Sequence, residues 1–122
     1  MLGYNTPSTN PFAKTEAPHL GMFHNHLSMQ AGAYQNGTWV LASAKAGIEE
    51  GIHHMGGSCI ISPTGEIVAL AATEGDEVIT TECDLGRGKY IRETIFNFDA
   101  HRRTEHYGLI TERTGAIPPP KN

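Results

Sequence analysis

At 122 residues, 39% hydrophobic and 18% charged, the chain has the composition of one soluble globular domain, which argues against disorder and membrane insertion; no apolar run approaches the roughly 20 residues of a membrane span. The net charge of -4 arises from interspersed carboxylates and gives no basic footprint for nucleic acid. The start Met1-Leu2-Gly3-Tyr4 lacks the pattern of a signal peptide, which points to the cytoplasm, and Cys59 and Cys83, both in apolar strand-like surroundings, read as free thiols.

Leu2 to Asn5 reads as the end of a strand, and Thr6 to Pro18 as a loop punctuated by prolines. Thr15 is the expected cap of a helix that carries Glu16 in its first turn and tolerates Pro18 near its start. From His19 onward, Leu20, Phe23, Leu27, Ala31 and Tyr34 share one helical face, while Met22, Met29 and Ala33 line the opposite side. A helix apolar on two faces is covered on both, so this one is expected between a sheet and a second layer or subunit. His24 sits beside the first stripe and His26 points well away from it, so the two histidines do not form a pair. Asn36-Gly37 supplies a left-handed stop, and Thr38 to Ala44 reads as a buried strand anchored by Trp39.

The glycine-punctuated segment Ala46 to Gly57 reads as an exposed loop. Ser58 to Ser62 and Glu66 to Leu70, joined by Pro63-Thr64-Gly65, form a predicted hairpin, and Val78 to Cys83 is expected to add a third strand in an antiparallel meander. Asp84 is placed to cap a helix over Leu85 to Phe98 that Gly86 and Gly88 weaken. Beyond Asp99 scattered apolar anchors lead into Ile117-Pro118-Pro119-Pro120, an extended arm that crosses its own domain or wraps a neighbouring subunit.

No complete catalytic set emerges from these residues. Seven histidines invite a zinc hypothesis, but the spacing of His24 and His26, and of His53 and His54, matches no zinc module. Cys59 as a nucleophile with His53 or His54 as base is weaker than a structural cysteine, because nothing nearby lowers its thiol pKa. Glu49-Glu50 reads first as a solvated acidic pair and Lys45 as a surface charge. His24 is divided between a hydrogen-bonded histidine at a core edge and a residue at a pocket.

Several strings are more specific. Gly3-Tyr4-Asn5-Thr6-Pro7, Phe23 to Gly32, Tyr34 to Gly37, Gly47-Ile48-Glu49-Glu50-Gly51, Ser58 to Leu70, Asp76 to Thr80, Ile95 to Phe98, Ala100 to Arg103 and His106 to Ile110 together resemble the carboxyl-terminal part of the N-carbamoyl-D-amino-acid amidohydrolases, in the nitrilase or carbon-nitrogen hydrolase superfamily. The resemblance covers the chain to about Glu112 and implies an α/β fold, the C-terminal half of an α-β-β-α sandwich assembled into homo-oligomers through the helix and the C-terminal arm. It places residues 1–112 in that domain and leaves 113–122 as a proline-rich tail. The implied chemistry uses a glutamate base, an oxyanion-stabilising lysine and a cysteine nucleophile, with no cofactor or metal, to convert an N-carbamoyl-D-amino acid to the D-amino acid, ammonia and carbon dioxide. All three catalytic residues would lie upstream of the matched segment, so the chain is expected to be a partial hydrolase inactive by itself. By the same resemblance Asn5, Thr6 and His24 line the substrate pocket. Two alternatives are a non-catalytic oligomerisation or binding module derived from this fold, and an unrelated binding protein whose histidines take a metal.

Overall fold

The computed structural model describes residues 17–112. The first element, α1, spans Pro18–Asn36, with Ala17 as an N-cap in extended geometry that offers no side-chain acceptor. Thr15, the expected cap, lies outside the described residues. The helix ends as the sequence requires: Gly37 takes the left-handed conformation (φ 53°), and its N–H reaches back to the carbonyls of the last turn.

Two faces of α1 were candidates for the core, and the smaller-looking one is buried. Met29 and Ala33 pack with Ala42, Cys59 and Ile61, flanked by Val40 and Ile67. The stripe of Leu20, Phe23, Leu27 and Tyr34 is exposed among the described residues. Alanine allows the helix axis to approach the sheet closely, and the unbranched methionine fills the remaining gap.

Strands β1 (Val40–Ala42), β4 (Cys59–Ile61) and β5 (Ile67–Leu70) form one antiparallel sheet in the order β1-β4-β5. The predicted hairpin is β4–β5. Its turn is built as read: Gly65 at φ 85°, the Gly65 N–H on the Ser62 carbonyl, and the Gln30 amide of α1 donating to the Gly65 carbonyl at 2.8 Å. Ile61 pairs with Ile67 and Ile60 with Ala69, so Val68 is an extra residue that bulges β5.

The segment read as an exposed loop is instead a second hairpin, β2 (Ala46–Glu49) with β3 (Ile52–Met55). It continues the β1–β4 pairing, since four residues on from Ala42 and four back from Cys59 lead to the pair Ala46 and Met55. Between the two parts Gly56 and Gly57 take positive φ (69° and 82°), bending the ribbon, while the Gly56 N–H still reaches the Lys45 carbonyl. Glycines that look like loop punctuation are the hinge and turn of a ribbon, with Glu50 (φ 50°) and Gly51 (φ 79°) at its tip, the left-handed pair a two-residue hairpin needs.

The third sheet strand is therefore β1. Val78–Cys83, expected in that place, forms no strand and pairs with nothing among the described residues. The helix expected over Leu85 to Phe98 is also shorter. Asp84 does accept the Gly86 N–H at 2.8 Å, but regular winding starts only at Lys89 and runs into a wide π-helical turn, Ile91–Ile95, whose Ile91 is buried. This turn docks on the end of α1. A Cβ on Gly88 would overlap the Gly37 carbonyl, which also accepts from Arg92 Nη1, and the Trp39 indole N–H donates to the Asp84 carbonyl at 2.9 Å. The arm beyond is a series of single turns, α2 (Phe98–His101), a 3-10 turn Thr104–His106 and α3 (Gly108–Thr111), and none of them buries a residue. Residues 113–122, read as a tail, lie outside the described residues. No helix among the described residues is long and apolar enough to cross a membrane.

Candidate functional site

Bending the ribbon at Gly56-Gly57 opens a cleft of about 240 Å³ between α1, the bend and the segment following β5. Its walls are Met22 and His26 on α1, Met55 and Gly57 at the bend, and Leu70 with Ala71 to Glu74 beyond β5. Met22, His26, Met29 and Ala33 recur at helical spacing, so the cleft-lining side chains and the core-forming ones belong to one face of α1. His26 Nε2 donates to the Gly57 carbonyl at 2.9 Å, holding the bend against the helix. Gly57 is held to glycine by its positive φ, and a Cβ there would also displace the tip of the Met22 side chain.

The far wall is held by a carboxylate. Glu77 accepts from the N–H of Ala72 (3.0 Å) and of Thr73 (2.9 Å) and from the Thr73 hydroxyl (3.0 Å). Those backbone donors, with the hydroxyl, favour the ionised form and lower the Glu77 carboxyl below its usual range. On the rim, Glu74 is 2.9 Å from His53 Nε2, which links β3 to the same wall. The other histidine of β3, His54, is 4.0 Å from Glu49, and Glu49 is bonded to Lys45. Lys45, by hydrogen bond and by charge, lowers the Glu49 carboxyl; both side chains are exposed, so the pair adds little stability.

This arrangement can bind and position, and it contains no competent nucleophile. Cys59 is 1% exposed in the core, and burial pushes its thiol up, which makes it inert. Cys83 is exposed and is not among the residues lining the cleft. Lys45, Glu49 and Cys59 therefore do not form a catalytic set. No group of three or more His, Cys, Asp or Glu among the described residues is placed to hold a metal ion.

Of the three residues expected to hold substrate, Asn5 and Thr6 lie outside the described residues. His24 is described: it is exposed on α1, with its ring tilted 57° to that of Phe23 at 5.6 Å, and it is not among the residues lining the cleft. The two histidines diverge as their spacing requires, and His26 is the one in the cleft. The signal for His26 was its offset of four from Met22 and three from Met29, which puts it on the buried face.

Residues 9–93 match the carbon-nitrogen hydrolase family. The chain belongs to that family. It is 30% identical over 81 residues to a probable nitrilase of Schizosaccharomyces pombe, an alignment covering 66% of this chain and 30% of the relative. The fold matches the crystal structure of a carbon-nitrogen hydrolase from Helicobacter pylori G27 with a TM-score of 0.70 and 23% identity, over 81% of this chain and 36% of that one. The carbon-nitrogen hydrolase segment present here thus spans about a third of the length of these two proteins, and its helix followed by antiparallel strands matches a portion of the Helicobacter pylori fold.

Proposed function

We propose that the chain is the substrate-holding portion of a hydrolase of N-carbamoyl-D-amino acids, and that the glutamate, lysine and cysteine of the reaction come from polypeptide outside it. One observation carries the division of labour: a chain of this family has its only described core thiol, Cys59, sealed at 1% exposure. The D-carbamoylase specificity rests on the strings Tyr4 to Pro7 and Phe23 to Gly32. In this reading Asn5 and Thr6 hold the amino-acid end of the substrate, and His24 positions it from α1. Attack by the external thiolate on the carbamoyl carbon, followed by hydrolysis of the covalent intermediate, consumes one water net and yields the D-amino acid, ammonia and carbon dioxide. The free thiols fit a reducing, cytoplasmic setting.

The test is an assay of D-amino acid and ammonia release from an N-carbamoyl-D-amino acid, by the chain alone and by the chain mixed with the preceding portion of an N-carbamoyl-D-amino-acid amidohydrolase. Turnover only in the mixture, and not with the L-enantiomer, is the expected result. Turnover by the chain alone overturns the division of labour, and equal use of both enantiomers overturns the substrate assignment.

A second reading, a non-catalytic oligomerisation module, is favoured by the exposed Leu20, Phe23, Leu27 and Tyr34 stripe of α1. Tyr34 meets Phe96 edge-on at 5.0 Å, so the stripe continues onto the segment that begins the arm. A stable homo-oligomer that never turns over substrate in the mixture would favour this module.

A further inference from the structure

The run Val78–Cys83 carries the sequence of a strand and lacks the pairing of one. Val78, Thr80 and Glu82 alternate with Ile79, Thr81 and Cys83, all but Glu82 and Cys83 being β-branched. No hydrogen bond among the described residues involves any of these backbone groups, and the run contains no helix, turn or bridge. It is largely exposed, Val78 being 89% accessible. Yet both ends are anchored. Glu77 is tied to Ala72 and Thr73, and the Asp84 carbonyl accepts the Trp39 indole N–H while its carboxylate accepts from Gly86. A β-rich run pinned at its ends with open amides between them is a template for an incoming strand.

We propose that residues 78–83 are a docking strand, which pairs through its backbone with a β-strand from the part of the hydrolase fold that this chain does not carry. The inference rests on the proposed division of labour and names the contact through which the two parts join. Two features select this occupant. The chain matches its Helicobacter pylori relative well but spans only 36% of it, so most of that fold's length lies outside this chain. Charge disfavours a second copy: Glu74, Asp76, Glu77, Glu82 and Asp84 surround the run with no Lys or Arg from Glu74 to Gly86, so self-pairing sets acid against acid. The incoming strand is neutral or basic opposite Glu82.

The experiment is backbone hydrogen exchange on the full chain, alone and mixed with the preceding portion of an N-carbamoyl-D-amino-acid amidohydrolase. Amides of 78–83 should exchange freely in the chain alone and be slowed at least about a hundredfold in the mixture. Thr80→Pro, which removes an amide, should weaken association at least about tenfold while leaving the melt of the chain alone unchanged; Thr80→Ala, which keeps the amide, should associate normally. Association that leaves 78–83 unprotected, or that ignores Thr80→Pro, overturns the docking strand, as does the absence of association. Protection without turnover sustains the docking strand and removes the substrate assignment, so the two readings fail separately.

Discussion

His26 Nε2 lies 2.9 Å from the Gly57 carbonyl, and this one bond ties the long helix to the bend in the β-ribbon. It joins residues on two walls of the cleft, so it sets both the stability of the bend and the width of the cleft. Replacement by alanine leaves a part-buried carbonyl without its donor and should cost about 1 kcal/mol. His26→Gln, which retains an N–H donor, should recover part of that loss. Urea denaturation of the three proteins checks it; equal midpoints for His26→Ala and the parent would show that the bond contributes nothing.

Gly57→Ala should be more damaging than the loss of the His26 bond. Its φ of 82° strains any L residue, and the new methyl meets the Met22 thioether. Together these should cost about 2 kcal/mol or more. Met22→Ala in the same chain removes the steric part and should return some stability, whereas the strain remains. The double-mutant cycle, read by denaturant midpoint, separates the two terms.

Glu77 makes a pH dependence with a defined sign. Its carboxyl is lowered in the folded chain by the Ala72 and Thr73 donors, so the folded state holds the proton less tightly than the unfolded one. The stabilisation is complete above the ordinary carboxylate range and is lost as pH falls through the lowered folded value. Glu49, lowered by Lys45, acts in the same direction. Glu77→Gln should flatten the acid limb of a melting-temperature profile below about pH 5. An unchanged limb would show that Glu77 is bonded to the same amides, or to none, in both states.

The two cysteines should differ sharply toward an alkylating reagent. Cys83 is exposed; Cys59 is buried beside Met29 and Ile61, with its thiol raised by desolvation. Native protein at pH 8 should take one equivalent of iodoacetamide, at Cys83, with Cys59 reacting only after denaturant is added. Mass spectrometry of the peptides reports it. Early modification of Cys59 would place the core in fast exchange with an open form.

Local chemistry made much of this fold legible, and pairing over distance hid the remainder. Asn36-Gly37 and Pro63-Thr64-Gly65 define their turns within a few residues, and both stand as read. The β2–β3 hairpin was hidden because its turn places Glu50, an unusual residue for positive φ, beside Gly51, and because Gly56 and Gly57 resemble loop residues until their pairing partners are known. Two apolar faces on α1 gave no basis for choosing the one that meets the sheet. The choice follows from the small radius of Ala33, which larger side chains in the other stripe outshone. Val78–Cys83 failed as a strand because period and propensity describe a candidate, while a strand needs a neighbour. At the site, His24 was singled out by its strings and His26 by nothing but its offset from two methionines. The strings identify a family; the offset locates a cleft.

The crossing of Gly37 and Gly88 closes both positions to a side chain. A Cβ on Gly88 would overlap the Gly37 carbonyl, and a Cβ on Gly37 would press on the Gly88 carbonyl and the Arg92 side chain. The end of the long helix and the approach to the carboxyl-terminal turn are therefore one joint, backbone against backbone, and a methyl group added to either half would prise open the other.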